Sequence, residues 1–115
     1  MSMRGGRGTP APSLMDDRAL VRALKALGDP TRFRMMQEIA AAGELSCGEV
    51  AERFDVSQPT ISHHLAILIE AGVLVARQAG KHRYTSVNGP LLRRIGMLVP
   101  ARLSTPARRA ARARA

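Results

Sequence analysis

Tryptophan is absent from this 115-residue chain, and Phe33, Phe54 and Tyr84 are its only aromatic side chains. A core almost without rings must be assembled from Leu, Ile, Val and Met, which suits packed helices. Cysteine occurs once, as Cys47, which excludes an internal disulfide framework and any all-cysteine metal site within one chain. No apolar run approaches the roughly eighteen residues of a membrane span, and the N-terminus has no signal-peptide core. The expectation is a cytoplasmic protein with no membrane partner.

Acidic side chains are missing from both ends, where basic ones collect. Arg4 and Arg7 stand in the first thirteen residues, and Arg102, Arg108, Arg109, Arg112 and Arg114 in the last sixteen. The formal net charge is +9, yet without those seven cations the chain carries eleven basic against nine acidic residues. The body is mildly basic and the arms are strongly so, a distribution that attracts polyanions. Residues 1–13 are rich in Gly and Pro and read as a flexible arm. Residues 14–99 form one domain, and residues 100–115 a basic, low-complexity tail, disordered when free.

Within the domain, helical periodicity is clear. Leu20, Ala23, Leu24 and Leu27 recur on one face of a first helix that Gly28 stops. Asp29 is an N-cap and Pro30 suits the first position of a second helix, which carries Phe33, Met36, Ile39 and Ala40 inward and ends at Gly43. Ser46 and Glu49 have capping-box spacing over a short helix from about Cys47 to Phe54. Ser57 then caps a longer helix with Ile61, Leu65, Leu68 and Ile69 along its buried stripe, ending at Gly72. Two helices joined by a three-residue turn make a helix-turn-helix. After Gly72 the period becomes two, and "VLVARQ" and "HRYTSVN" flank Gly80 as a β-hairpin. Pro90 opens a last helix whose apolar residues cover more than one face, as a subunit interface with the first helix requires. Pro100 discourages its continuation.

Helix, helix, helix-turn-helix, hairpin, helix is the order of a winged helix-turn-helix domain: mainly α, with five helices and a two-stranded wing. The segments "LGDPTR", "SQPTISHHL" and "GKHRYTSVN", within about residues 17 to 99, resemble the ArsR/SmtB family of bacterial transcriptional repressors. The resemblance implies a homodimer joined through its first and last helices. Its recognition helices, at 58–71, would enter successive major grooves of double-stranded DNA, with the wings, at 73–87, alongside. It also implies repression of the protein's own operon from an inverted-repeat operator, its half-sites about 10 bp apart or a multiple of that.

Viewed down the recognition helix, Ile61, Leu65, Leu68 and Ile69 share one side, and Pro59, Ser62 and His63 lie opposite. Ser57, Gln58, Pro59, Thr60, Ser62 and His63 are therefore candidate DNA contacts, with Gln58 suited to an adenine edge and His63 to guanine or phosphate. His64 falls at the edge of the core as a packing residue with one satisfied ring nitrogen. Arg77, Lys81, His82, Arg83 and Tyr84 on the wing are candidate phosphate contacts.

Adjacent His63 and His64 diverge by about 100° and do not chelate one ion. Many relatives hold metals or metalloids through a Cys-x-Cys pair before the turn or through His and carboxylate pairs on the last helix. Here Ser46 and Gly48 take the two cysteine positions, with Cys47 between them, and "PLLRRIGMLV" has neither His nor acid. No conventional metal sensor is expected, and the effector stays open. Cys47 is a candidate redox switch bridging two subunits, set against the plainer reading of a small apolar residue. No nucleophile, base and orienting group share a motif and no Gly-rich phosphate loop is present, so neither enzyme activity nor a cofactor is expected. A winged-helix module that binds only protein is the remaining alternative.

Overall fold

The computed structural model describes residues 15–104. The N-terminal arm at 1–13 and the tail beyond Ser104 lie outside the described residues.

Local capping chemistry sets most boundaries. Helix α1 spans Asp17–Leu27, its first turn held by the Asp16 side chain accepting from the Ala19 N–H. Helix α2, Pro30–Ala42, is capped by the Asp29 carboxylate, which accepts from the Arg32 N–H. Strand β1, Leu45–Ser46, runs into α3, Cys47–Glu52, where Ser46 and Glu49 close both bonds of a capping box. Ser57 caps α4, Gln58–Glu70. Strands β2, Leu74–Ala79, and β3, His82–Val87, form the wing, and α5 covers Gly89–Leu103 behind an Asn88 cap. A two-residue turn joins β2 to β3, with its positive φ (61°) confined to Gly80, the one residue there without a Cβ to clash.

Met35, Ile39, Val50, Ile61, Leu68, Val73 and Leu74 are fully buried and form the centre of an aliphatic core drawn from α2, α3, α4 and the approach to the wing. Leu20, Ala23 and Ala26 bring α1 onto this core, and Ile95 and Leu98 bring α5. Five helices and an antiparallel wing match the expected architecture.

Four details differ from the sequence reading. The sheet has three strands rather than two, in the order β1-β3-β2, with Leu45 opposite Thr85. A two-residue strand carries no periodicity of its own; the buried Thr85 hydroxyl, donating to the Leu45 carbonyl at 3.0 Å, fixes it in place. The turn of the helix-turn-helix is longer than three residues, because α3 ends at Glu52 and Arg53 bonds back to Val50 in a tightened last turn. Phe33 and Ala40 do not point inward: Phe33 is 50% exposed, and Met35 and Met36 take the core positions with Ile39. Phe33 lies about 120° from Ile39 around the helix, too far to share its face. Finally, Pro100 does not end α5. Proline removes one rung of the ladder. The Arg102 guanidinium offsets the loss by donating to the Met15 carbonyl (2.6 Å) and to the Asp17 carboxylate, tying the last turn to the start of α1. Arg102 therefore belongs to the folded body rather than to a cationic arm.

Candidate nucleic-acid interface

The sides of α4 divide as its periodicity requires. Ile61, Leu65 and Leu68 are buried, whereas Ser57, Gln58, Pro59, Thr60, Ser62 and His63 are all exposed. Their side chains are not equally free. The Ser57 hydroxyl accepts from the Thr60 N–H and lies 2.9 Å from the Thr60 hydroxyl, so both are engaged in capping the helix. The Ser62 hydroxyl lies 3.3 Å from the Cys47 thiol of α3. Among the described residues, the Gln58 and His63 side chains have no hydrogen-bond partner. His64 is half-buried, with Nδ1 3.4 Å from the Arg32 guanidinium of α2, so its ring is turned away from the exposed face that carries His63.

The wing meets this face across a groove of about 550 Å³ lined by Gln58 from α4, residues of α3 including Cys47, and Lys81, His82, Arg83 and Tyr84. Lys81, His82 and Arg83 are exposed, and Tyr84 is half-buried with its ring 6.1 Å from that of His82. Three cationic or titratable side chains thus rim one concavity beside the first turn of α4. Lys81 and Arg83 favour phosphate on the wing side of the groove, whereas Glu49 and Glu52 of α3, which also line it, disfavour an anion on the opposite side.

Arg77 departs from the group. Its guanidinium donates twice to the Glu44 carboxylate, each bond 2.8 Å, and stacks over the Tyr84 ring at 5.0 Å. Arg77's hydrogen bond holds the Glu44 carboxyl below its ordinary value of 4.5, and Glu44 in turn pushes the Arg77 guanidinium up. The pair persists throughout the neutral range, because a carboxyl with a lowered pKa loses its charge only as the pH falls below that ordinary value. Glu44, thirty-three residues from Arg77 in the chain, left no mark in the sequence pattern. Arg53, which caps the end of α3, is exposed but likewise paired, its Nε 3.4 Å from the Glu38 carboxylate.

Cys47 is half-buried at the start of α3, and its neighbours on either side, Ser46 and Gly48, offer no thiolate. Among the described residues no three His, Cys, Asp or Glu side chains cluster as metal ligands, and the donor set before the turn does not fit a thiolate-bound metalloid. No described helix is long and apolar enough to cross a membrane.

Residues 27–77 match the family described as Helix-turn-helix domain. The chain is 41% identical over 68 residues to the transcriptional repressor SdpR of Bacillus subtilis, an alignment covering 59% of this chain and 74% of that protein. It is 37% identical over 71 residues to the arsenical resistance operon repressor of Staphylococcus xylosus, covering 61% and 67% respectively. Its fold superposes with a TM-score of 0.62, at 26% identity, on the homodimeric winged helix-turn-helix DNA-binding domain of Mb0332 from Mycobacterium bovis, covering 73% of this chain and 77% of that one. This protein belongs to the ArsR/SmtB family of winged helix-turn-helix transcriptional regulators.

Proposed function

We propose that the chain is a homodimeric repressor of its own operon that reads an inverted repeat with α4 and holds the flanking phosphates with its wing. The observation that carries this reading is the groove in which Gln58, at the start of α4, shares one concave surface with Lys81, His82 and Arg83. Base reading is assigned chiefly to Gln58 and His63, whose polar atoms are uncommitted. Ser57, Pro59, Thr60 and Ser62 shape the first turns and add backbone contacts, and Tyr84 packs beneath the wing cations. α1 and α5 form the dimer contact, an arrangement supported by the exposure of Val21, Leu24, Met97 and Leu103 on them and by the homodimeric Mb0332 domain. The reading includes no conventional metal switch. A redox bridge through Cys47 is disfavoured as well, because its thiol faces Ser62 of α4. Sulfur atoms must approach to about 2 Å to bond, so a second Cys47 would have to enter the face reserved for DNA.

Selection of binders from a random duplex library, followed by a footprint on the region upstream of the gene, tests the reading. The expected product is an inverted repeat with half-sites about 10 bp apart or a multiple of that. Failure to enrich any sequence would favour a module that binds only protein. For the wing, Lys81→Ala with Arg83→Ala should weaken all duplexes alike and flatten the logarithmic salt slope by up to about two units; an unchanged slope removes the phosphate assignment.

The Glu44–Arg77 pair gives an opposite expectation. Glu44→Gln removes the charge that holds Arg77 aside, so binding should tighten and the salt slope should steepen by about one unit. The same slope in Glu44→Gln and wild type would mean that Arg77 does not reach phosphate even when released.

A further inference from the structure

The Arg32 guanidinium joins three helices. From α2, its Nε donates to the Ala26 carbonyl at 2.8 Å and its Nη2 to the Lys25 carbonyl at 3.3 Å, both in the last turn of α1, where the Lys25 carbonyl also accepts from the Gly28 N–H. Its Nη1 lies 3.4 Å from Nδ1 of His64 in α4, at the long end of hydrogen bonding. Its own backbone N–H donates to the Asp29 carboxylate at 3.0 Å, which anchors the main chain from which the side chain reaches. A guanidinium has five donors and no acceptor. Contact with His64 therefore requires a lone pair on Nδ1, which means a neutral ring with its proton on Nε2.

We infer that Arg32 and His64 are a positioning pair that sets the angle of α4 against α1, and that protonation of His64 releases it. The inference rests on the proposed reading of α4 as the DNA-reading helix. Ile61, Leu65 and Leu68 fix which face of α4 is buried and how deeply, and because apolar contacts are non-directional, small changes in the tilt of α4 are the least costly adjustment left. Direction comes from polar contacts on its two flanks: Ser62 to Cys47 of α3 on one side and His64 to Arg32 on the other. Because α1 carries the exposed Val21 and Leu24 assigned to the dimer contact, the angle between α1 and α4 in each protomer sets the separation of the two reading helices. That separation decides which half-site spacing fits.

The charged surroundings of His64 are few. Arg32 faces it from α2. Asp29 faces it from the turn between α1 and α2; its carboxyl is lowered first by the Arg32 N–H, with His64 among the charges acting on it. His63 is the neighbour on its own helix, with ring centroids 6.1 Å apart. α1 joins the cluster through the carbonyls of Lys25 and Ala26, and among the described residues α3 and β2 place no titratable group in hydrogen-bonding contact with the ring. Asp29 attracts an imidazolium here and Arg32 repels it. The directional bond is lost in either case.

The test compares wild type with His64→Asn, whose side-chain oxygen accepts from Arg32 at any pH, and with Arg32→Lys, which keeps the charge and loses the fork. Affinity for the inverted repeat enriched from the random library is measured between pH 7.5 and 5.5, with half-sites at the selected spacing and one base pair longer or shorter. His64→Asn retains His63 and His82, so the ratio of wild type to this variant is the quantity read. Relative to His64→Asn, wild-type affinity should fall about three- to tenfold on acidification, with weaker discrimination between spacings. Arg32→Lys should discriminate poorly already at pH 7.5. Nitrogen-15 NMR at pH 7.5 should place the His64 proton on Nε2. Matching pH profiles in wild type and His64→Asn, a proton on Nδ1, or a wild-type melting temperature that falls in step with affinity would each overturn the pair's positioning role. An empty selection would instead sink the DNA-reading assignment of α4 itself.

Discussion

A Gln58→Ala, His63→Ala double variant is expected to bind DNA with the salt dependence of wild type and almost none of its sequence preference. Both side chains are exposed, and the hydroxyls around them already have partners: Ser57 with Thr60 in the cap, Ser62 with Cys47. An amide that bonds an adenine edge, or an imidazole that donates to guanine, contributes about 1–3 kcal/mol of discrimination, or roughly fivefold to 150-fold at each position. Phosphate contacts from Lys81 and Arg83 remain in the variant, so affinity for unrelated duplexes should hardly change. The measurement is the ratio of Kd values for the selected repeat and a scrambled duplex at two salt concentrations. If the ratio is preserved, base reading lies elsewhere on α4, and Ser62, released from Cys47, is the next side chain to examine. If the salt slope collapses together with the ratio, His63 is a phosphate contact.

The division between reading and capping residues shows what a sequence records. Asp29, Ser46 with Glu49, and Ser57 were identifiable as caps because each acts on a backbone N–H three residues away, a distance the local pattern expresses. The buried side of α4 was equally legible, since Ile61, Leu65 and Leu68 repeat with the helix. Long-range partners were not. Nothing near Arg77 announces Glu44, and nothing near His64 announces Arg32, although the expected satisfied ring nitrogen of His64 required some partner. Leu24 shows a different limit. Its spacing placed it with Leu20 and Ala23, yet within one protomer it is 39% exposed, and Ala26 takes the core position. An apolar residue that fits the period but stays outside one core is a residue for a second surface. The same reasoning applies to Leu103, which is 79% exposed on the part of α5 that continues beyond Pro100.

That second surface yields the largest expected effect. Asp17, Leu20, Val21 and Leu24 of α1 and Val99, Arg102 and Leu103 of α5 line a shallow apolar cavity of about 170 Å³, with the Asp17–Arg102 ion pair at its edge. If two such faces meet across a two-fold axis, Val21→Glu with Leu24→Glu brings four like charges into an apolar contact, and the dimer should dissociate. The protomer itself should keep its fold, because Val21 and Leu24 lie outside the buried core. Far-UV circular dichroism should therefore match wild type while sedimentation equilibrium reports a monomer. The effect on DNA follows from linkage: a second half-site engaged by a tethered copy is bound at an effective concentration in the millimolar range, and losing that tether weakens avidity by about 10²–10⁴-fold. Affinity for an isolated half-site should be unchanged, since Gln58, His63 and the wing are untouched. A variant that remains dimeric would place the interface elsewhere, whereas a monomer that still binds the full repeat tightly would show that each copy reads its half-site alone. The half-site measurement separates a broken dimer from a damaged reading helix, because only the latter weakens binding to a single half-site.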